Sequence, residues 1–278
     1  MIERPIPVSG EMLPAIGIGS WIQFDVAADS PERIKLLKVL HEMKTGGARV
    51  IDTSPMYGKA EQRIGELTNA TSYPDYFFFA TKIWTTGYDQ GVDQMESSLE
   101  KLKRKTIDLV QVHNMQDWQT HIQSVNNWKA EGRVRYSGVT HYLDNAHEQL
   151  EEIVRSRSVD FVQFNYSLLS RNAENKLLPA CRDNGVAVII NEPFEKGRLF
   201  KRVKGKKIPD WARDFEISNW ASFFLKYILA EPAVTCVIPG TSEPDHMKDI
   251  LSSGEGPLPD DRTRKMMVEF VEGLQKRY

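Results

Sequence analysis

Cysteine is scarce in this chain, with two among 278 residues. Cys181 and Cys236 each lie inside an apolar segment and make no CxxC spacing. That pattern argues against a disulfide framework and fits two buried thiols in a reducing compartment. The six histidines are scattered, with no HxxxH pair and no His/Cys cluster at ligand spacing, so no metal is expected. No GxSxG turn occurs, which leaves a serine hydrolase unsupported. Neither sign of charge prevails: 36 cations face 38 anions for a formal net charge of −2. Nothing in that balance attracts nucleic acid or an anionic membrane. No apolar run reaches membrane-spanning length, and "MIERPIPVSGEMLP" lacks the apolar stretch of a signal peptide, so the expected location is cytoplasmic.

What the chain does have is rhythm. Short apolar, β-rich runs recur at 15–19, 48–52, 76–82, 107–113, 135–141, 159–165, 186–191 and 234–239. Most are apolar throughout rather than alternating, as expected for strands buried on both faces. Amphipathic helical segments lie between them, at 31–45, 59–69, 88–104, 118–131, 144–155, 173–183 and 218–230. Two more follow at 243–252 and 259–276. Pro31 sits at a first helical turn, and "GG" at 46–47 and "DNG" at 183–185 supply helix stops. Eight strands alternating with helices predict an α/β fold of the (β/α)8 TIM-barrel type, as a single domain over residues 1–278. No linker or composition break divides the chain. An open doubly wound sheet would require a GxGxxG turn, and "GIGSWI" lacks the third glycine.

In a barrel, reactive groups sit at the carboxyl ends of strands. Asp52 ends the second strand, and Tyr57 lies in the loop after it. Lys82 ends the third strand and His113 the fourth. Taken singly, each has an ordinary explanation: a helix cap, a packed ring, a solvent-bound ammonium, a structural hydrogen-bonder. Together they form a coherent proton-transfer set. A phenol titrates near ~10 in water, and an adjacent ammonium would lower that value. Asp52 would keep Lys82 charged and aimed, and His113 would orient a substrate oxygen. No side chain supplies hydride, so such a set needs a nicotinamide cofactor.

These residues, with "LPAIGIGSW", "IDTSPMYG", "ATKIW", "LVQVHN", "YSGVTHY", "VQFNYSLL" and "VIPGTSEPDHMKDIL", make the chain resemble the aldo-keto reductases over nearly its whole length. The resemblance implies a catalytic tetrad of Asp52, Tyr57, Lys82 and His113. It also implies NADP(H), with NAD(H) ranked second, lying extended across the carboxyl-end rim. Gln163 would bond the nicotinamide carboxamide, helped by Thr140 and His141, where the family commonly carries a Ser-Asn pair, so that His141 is a departure. Asn191 stands where many members carry a stacking tyrosine, so stacking would pass to Phe194. Ser20, Trp21, Pro193 and Gly197 complete that half of the expected cofactor contacts.

Seven cations crowd Lys196 to Lys207, either as a solvated face or as a phosphate clamp. After the last strand a short helix would offer its amino end and Thr241 to the 2′-phosphate, with Asp249 at the adenine edge. Relatives often place cations where this chain has Gly240 and His246; Lys248 or the basic stretch would have to compensate. Trp21, Met56, Trp84 and Asn114 are expected to line a pocket for apolar or aromatic aldehydes and small ketones, with Met115 and Trp118 inclining to core packing.

The function expected is therefore NADPH-dependent reduction of a small-molecule carbonyl, with no nucleic-acid or membrane partner and no oligomeric state specified. Two alternatives stay open. One is a lyase forming a Schiff base on Lys82. The other is a non-catalytic barrel that senses nucleotide.

Overall fold

In a computed structural model describing residues 1–274, the chain opens with a small antiparallel hairpin. Its strands are β1 (Glu3–Pro5) and β2 (Met12–Pro14). Eight strands then pair in parallel and in sequence order. They are β3 (Gly17–Gly19), β4 (Val50–Asp52), β5 (Phe78–Ile83), β6 (Ile107–His113), β7 (Val134–Thr140), β8 (Phe161–Asn165), β9 (Ala187–Asn191) and β10 (Cys236–Val237). A parallel bridge from Ile16 to Val237, with Val237 N–H donating to Ala15 O at 2.9 Å, brings the first and last barrel strands together.

Strand parity decides what each side chain meets. Val50, Phe78, Ala80, Leu109, Tyr136, Phe161, Ala187, Ile189, Cys236 and Ile238 form one apolar cluster inside the ring. Ile6 and Leu13 of the hairpin join that cluster and close its amino end. Ile51, Phe79, Val110, Val112, Val139, Val162, Val188 and Val237 point outward into a second, larger core shared with the helices. Asp52, Lys82, Gln111, His113, Thr140, Gln163 and Asn191 have the inward parity. They lie one or two steps past the apolar cluster, toward the carboxyl ends.

The helices are α1 (Glu32–Thr45), α2 (Ala60–Asn69), α3 (Tyr88–Leu102), α4 (Trp118–Ala130), α5 (His147–Arg155), α6 (Leu177–Asn184), α7 (Arg198–Val203), α8 (Trp220–Leu229), α9 (Pro244–Ser252) and α10 (Asp261–Gly273). Each expected helical segment is present with shifted ends. The segments at 144–155 and 173–183 begin instead as single 3-10 turns, Asp144–Ala146 and Asn172–Glu174. Gly185 ends α6 at φ +66°. Residues 275 and 276 of the last expected helix lie outside the described residues. The basic stretch, read as a loop, contains the six-residue α7. Among the described residues no helix is long and apolar enough to cross a membrane.

Candidate active site

A cavity of about 640 Å³ opens at the carboxyl end of the barrel. Its floor and walls include Asp52, Tyr57 and His113, three of the four groups marked on successive strands. The fourth, Lys82, lies beneath them at 1% exposure. Its ammonium donates to Asp52 Oδ2 at 2.6 Å and to Thr53 O at 2.7 Å, and stands 5.2 Å from the centre of the Tyr57 ring. Tyr57 meets His113 edge-on, with ring centres 5.9 Å apart. The loop carrying the tyrosine is short and pinned. Tyr57 N–H donates to Ser54 O at 3.0 Å, and Lys59 N–H donates to Asp25 Oδ1 at 2.9 Å.

The electrostatics correct one expectation. Burial carries the Tyr57 phenol above its ordinary value, and the pull of Lys82 in the other direction does not overcome it. Asp52 and Glu192 add to the rise. At neutral pH the phenol therefore holds its proton. Burial works against the charge on Lys82, yet Asp52 and Tyr57 outweigh it and keep the ammonium above its usual range. His113 is pushed down to about 3 by burial, then by Lys82 and His141, so its imidazole is neutral. Ser54 Oγ accepts from Met56 N–H at 3.3 Å and lies 3.1 Å from His113 Nδ1. If that hydroxyl donates to Nδ1, the ring proton sits on Nε2 and is free to bond a substrate oxygen.

Of the residues expected to touch cofactor, Ser20, Trp21, Thr140, His141, Gln163, Asn191, Pro193, Phe194, Gly197 and Gly240 line the cavity. Thr241, His246 and Asp249 do not. The Thr241 hydroxyl accepts from Glu243 N–H at 3.1 Å, Asp249 accepts from Asn219 at 3.2 Å, and His246 is exposed. Of the seven cations at 196–207, Lys196 alone lines the cavity, and it pairs with Glu192 at 3.0 Å. Arg198 is held by Glu195 at 2.5 Å, and Arg202 donates to Val271 O at 3.1 Å. Met56 and Trp84 sit outside the lining, although the Trp84 ring is 6.1 Å from His113. Trp21 and Asn114 are on it, while Met115 belongs to the core.

Sequence reasoning missed Tyr142, Glu192 and Phe200 on the cavity wall, and Gln111 beneath it. Gln111 had a signal: it shares strand parity with His113, two residues on. Gln163, expected to bond a nicotinamide carboxamide, is already engaged within the protein. Its amide donates to Asp52 Oδ1 at 2.8 Å and to Gln111 Oε1 at 3.3 Å. Its carbonyl accepts from Thr140 at 3.1 Å and from Asn191 at 3.3 Å.

The family model described as "Aldo/keto reductase family" matches residues 15–267. The chain belongs to that family. Methylglyoxal reductase YeaE of Escherichia coli (strain K12) is 29% identical over 247 residues, covering 85% of this chain and 84% of its own. An NADH-specific methylglyoxal reductase of the same organism is 25% identical, with 66% of this chain and 65% of the relative covered. Among solved structures, an aldo-keto reductase from Klebsiella pneumoniae in complex with NADPH superposes with a TM-score of 0.82 at 23% identity. That match covers 98% of this chain and 96% of the other, and it establishes the shared barrel. This aldo-keto reductase carries Asp, Tyr, Lys and His in the arrangement described above, on β4, its loop, β5 and β6.

Proposed function

We propose that this aldo-keto reductase reduces small aldehydes and ketones to alcohols with a nicotinamide dinucleotide, NADPH ahead of NADH. The observation that carries the reading is the Tyr57 ring on a cavity wall, with the buried Lys82 ammonium 5.2 Å from its centre and the His113 ring 5.9 Å away. Buried polar atoms without a partner support a dinucleotide in the same cavity. Ser20 Oγ, Asn114 Oδ1 and Asn191 Oδ1 are atoms of that kind on residues that line the cavity, and a carboxamide could pair with them. Asn191 and Ser20, with Trp21, Pro193, Phe194 and Gly197, would hold the group.

When bound, a dihydronicotinamide supplies hydride to the carbonyl carbon. The chain's own residues manage the oxygen. The imidazole of His113 orients it by donating from Nε2. Tyr57 then transfers its hydroxyl proton to that oxygen, and the phenolate left behind faces the Lys82 ammonium. Asp52 keeps that ammonium in place. The lyase alternative fails at Lys82, because an amine held protonated by Asp52 has no lone pair with which to form a Schiff base.

The relatives named as methylglyoxal reductases suggest short oxo-aldehydes as a first substrate class, and the Trp21 and Phe200 walls suggest aromatic aldehydes as a second. The experiment is NADPH oxidation with a panel of both. Tyr57→Phe should lower turnover by about 10²- to 10⁴-fold while still quenching protein fluorescence on binding NADPH. Turnover equal to the parent's in that variant would remove Tyr57 as the proton donor.

A further inference from the structure

Asp52 is held from three directions, and only one of them is lysine. Oδ2 takes the Lys82 ammonium at 2.6 Å, while Oδ1 accepts from Gln163 at 2.8 Å and from Gln111 at 3.1 Å. The two amides also meet each other at 3.3 Å. All four residues are 2% exposed or less.

Their meeting follows from the barrel. Asp52, Gln111 and Gln163 point inward from β4, β6 and β8, alternate strands whose side chains share one layer. Below them lies the apolar cluster that includes Val50, Phe78, Leu109 and Phe161. An amide buried there must find partners, since an unpaired one is costly. Gln111 finds two, donating to Asp52 and accepting from Gln163. It also needs room, and Gly138 provides it. The two residues are paired in register, and a Cβ on Gly138 would lie 3.1 Å from Gln111 Cγ and 2.9 Å from Phe161 O.

The charged and titratable groups around Tyr57 are few. Lys82 on β5, Asp52 on β4, His113 on β6 and Glu192 after β9 face it directly. His141 after β7 acts on His113, and Lys82 in turn acts on Glu61 of α2. Lys82 favours the phenolate, whereas Asp52 and Glu192 oppose it. Neither glutamine carries charge, so their influence on Tyr57 runs through Asp52. A carboxylate that donates electron density to two amide protons presses less of its field on neighbouring groups.

We propose that Gln111 is a positioning residue for the proton donor: by donating to Asp52 Oδ1 it fixes the carboxylate's aim at Lys82 and weakens its opposition to ionisation of Tyr57. This rests on the reading of Tyr57 as proton donor, and the test keeps the two apart. Phenolate absorbance is titrated in the full-length protein before any dinucleotide is added, and the component lost in Tyr57→Phe isolates this tyrosine from the other eight. In Gln111→Leu its midpoint should rise by about one pH unit, the scale of losing one hydrogen bond to a buried carboxylate. Turnover at neutral pH should fall about three- to tenfold with the basic limb of the pH profile displaced upward, and NADPH binding should be unmoved. Gln111→Glu retains a donor while its new carboxyl is protonated. It should match the parent on the acid side and lose turnover as that group ionises, which decides the matter if Gln111→Leu fails to fold.

An unchanged Tyr57 midpoint, with turnover scaled equally at every pH, would overturn the proposal and leave Gln111 a packing residue. So would a Gln111→Glu profile without the added transition. Full turnover in Tyr57→Phe would instead sink the proton-donor reading, and the midpoint shift would still decide Gln111.

Discussion

His113 shows how much a single residue's surroundings can dictate. Burial, Lys82 and His141 hold its pKa at about 3, against 6.5 for a free imidazole. Between those values the unfolded chain binds a proton that the native chain refuses. The stability due to the neutral ring is fully present above pH 6.5 and is lost progressively as the pH falls toward 3. His113→Gln lacks that term, so its urea midpoint should fall less than the parent's between about pH 7 and pH 4. His141 and His147 are also depressed, each by burial first, and give both proteins a shared background. Parallel curves for the two proteins would mean that His113 is not protected from protons. At this scale the sequence was partly legible. Their places at the carboxyl ends of strands marked out Asp52, Lys82 and His113, and their chemistry followed. The direction of the Tyr57 shift was not legible, because it is set by how deeply a loop residue is buried.

At the scale of elements, helix α2 lies so close to the end of α3 that one methyl group is excluded. A Cβ at Gly65 would stand 2.1 Å from Lys101 O and 2.8 Å from the Leu102 carbonyl carbon, both backbone atoms that cannot swing away. Gly65→Ala should therefore cost about 1–3 kcal/mol in urea unfolding despite alanine's better helix propensity. Turnover of the protein that remains folded should be unchanged. A stabilised variant would show that the two helices separate freely. The strands and helices themselves were legible from apolar runs and helix stops, though their ends were not, since ladders stop where chains turn off to loops. The hairpin β1–β2 escaped notice because Pro5 and Pro14 mark its strands as poor ladder formers. Gln111 escaped for a related reason: one amide in an apolar strand carries no visible partner until β4 and β8 are brought beside it.

For the molecule as a whole, charge placement bears on the choice of dinucleotide. The start of α9 is flanked by Glu243 and Asp245, and the nearby cations are committed. Lys35 pairs with Glu243 at 2.7 Å, and Lys248 pairs with Asp245 at 3.2 Å and Glu42 at 3.7 Å. A 2′-phosphate arriving there gains little net attraction. The dissociation constants of NADPH and NADH, read by fluorescence quenching, should therefore differ by less than about tenfold, or ~1.4 kcal/mol. A preference of a hundredfold for NADPH would require a cation from 198–207 to turn toward the phosphate.

The ring's shortest joint lies between its ends, where two-residue β10 meets β3 through the Ile16–Val237 bridge. Those partners are more distant in sequence than any other neighbouring pair of barrel strands, so their closure carries the largest chain-entropy cost. Assembly of the ring should accordingly finish at this joint. Ser20 and Gly240 flank it on opposite sides and both line the cavity, so a ring that closes last at this joint would complete the cavity in the same step.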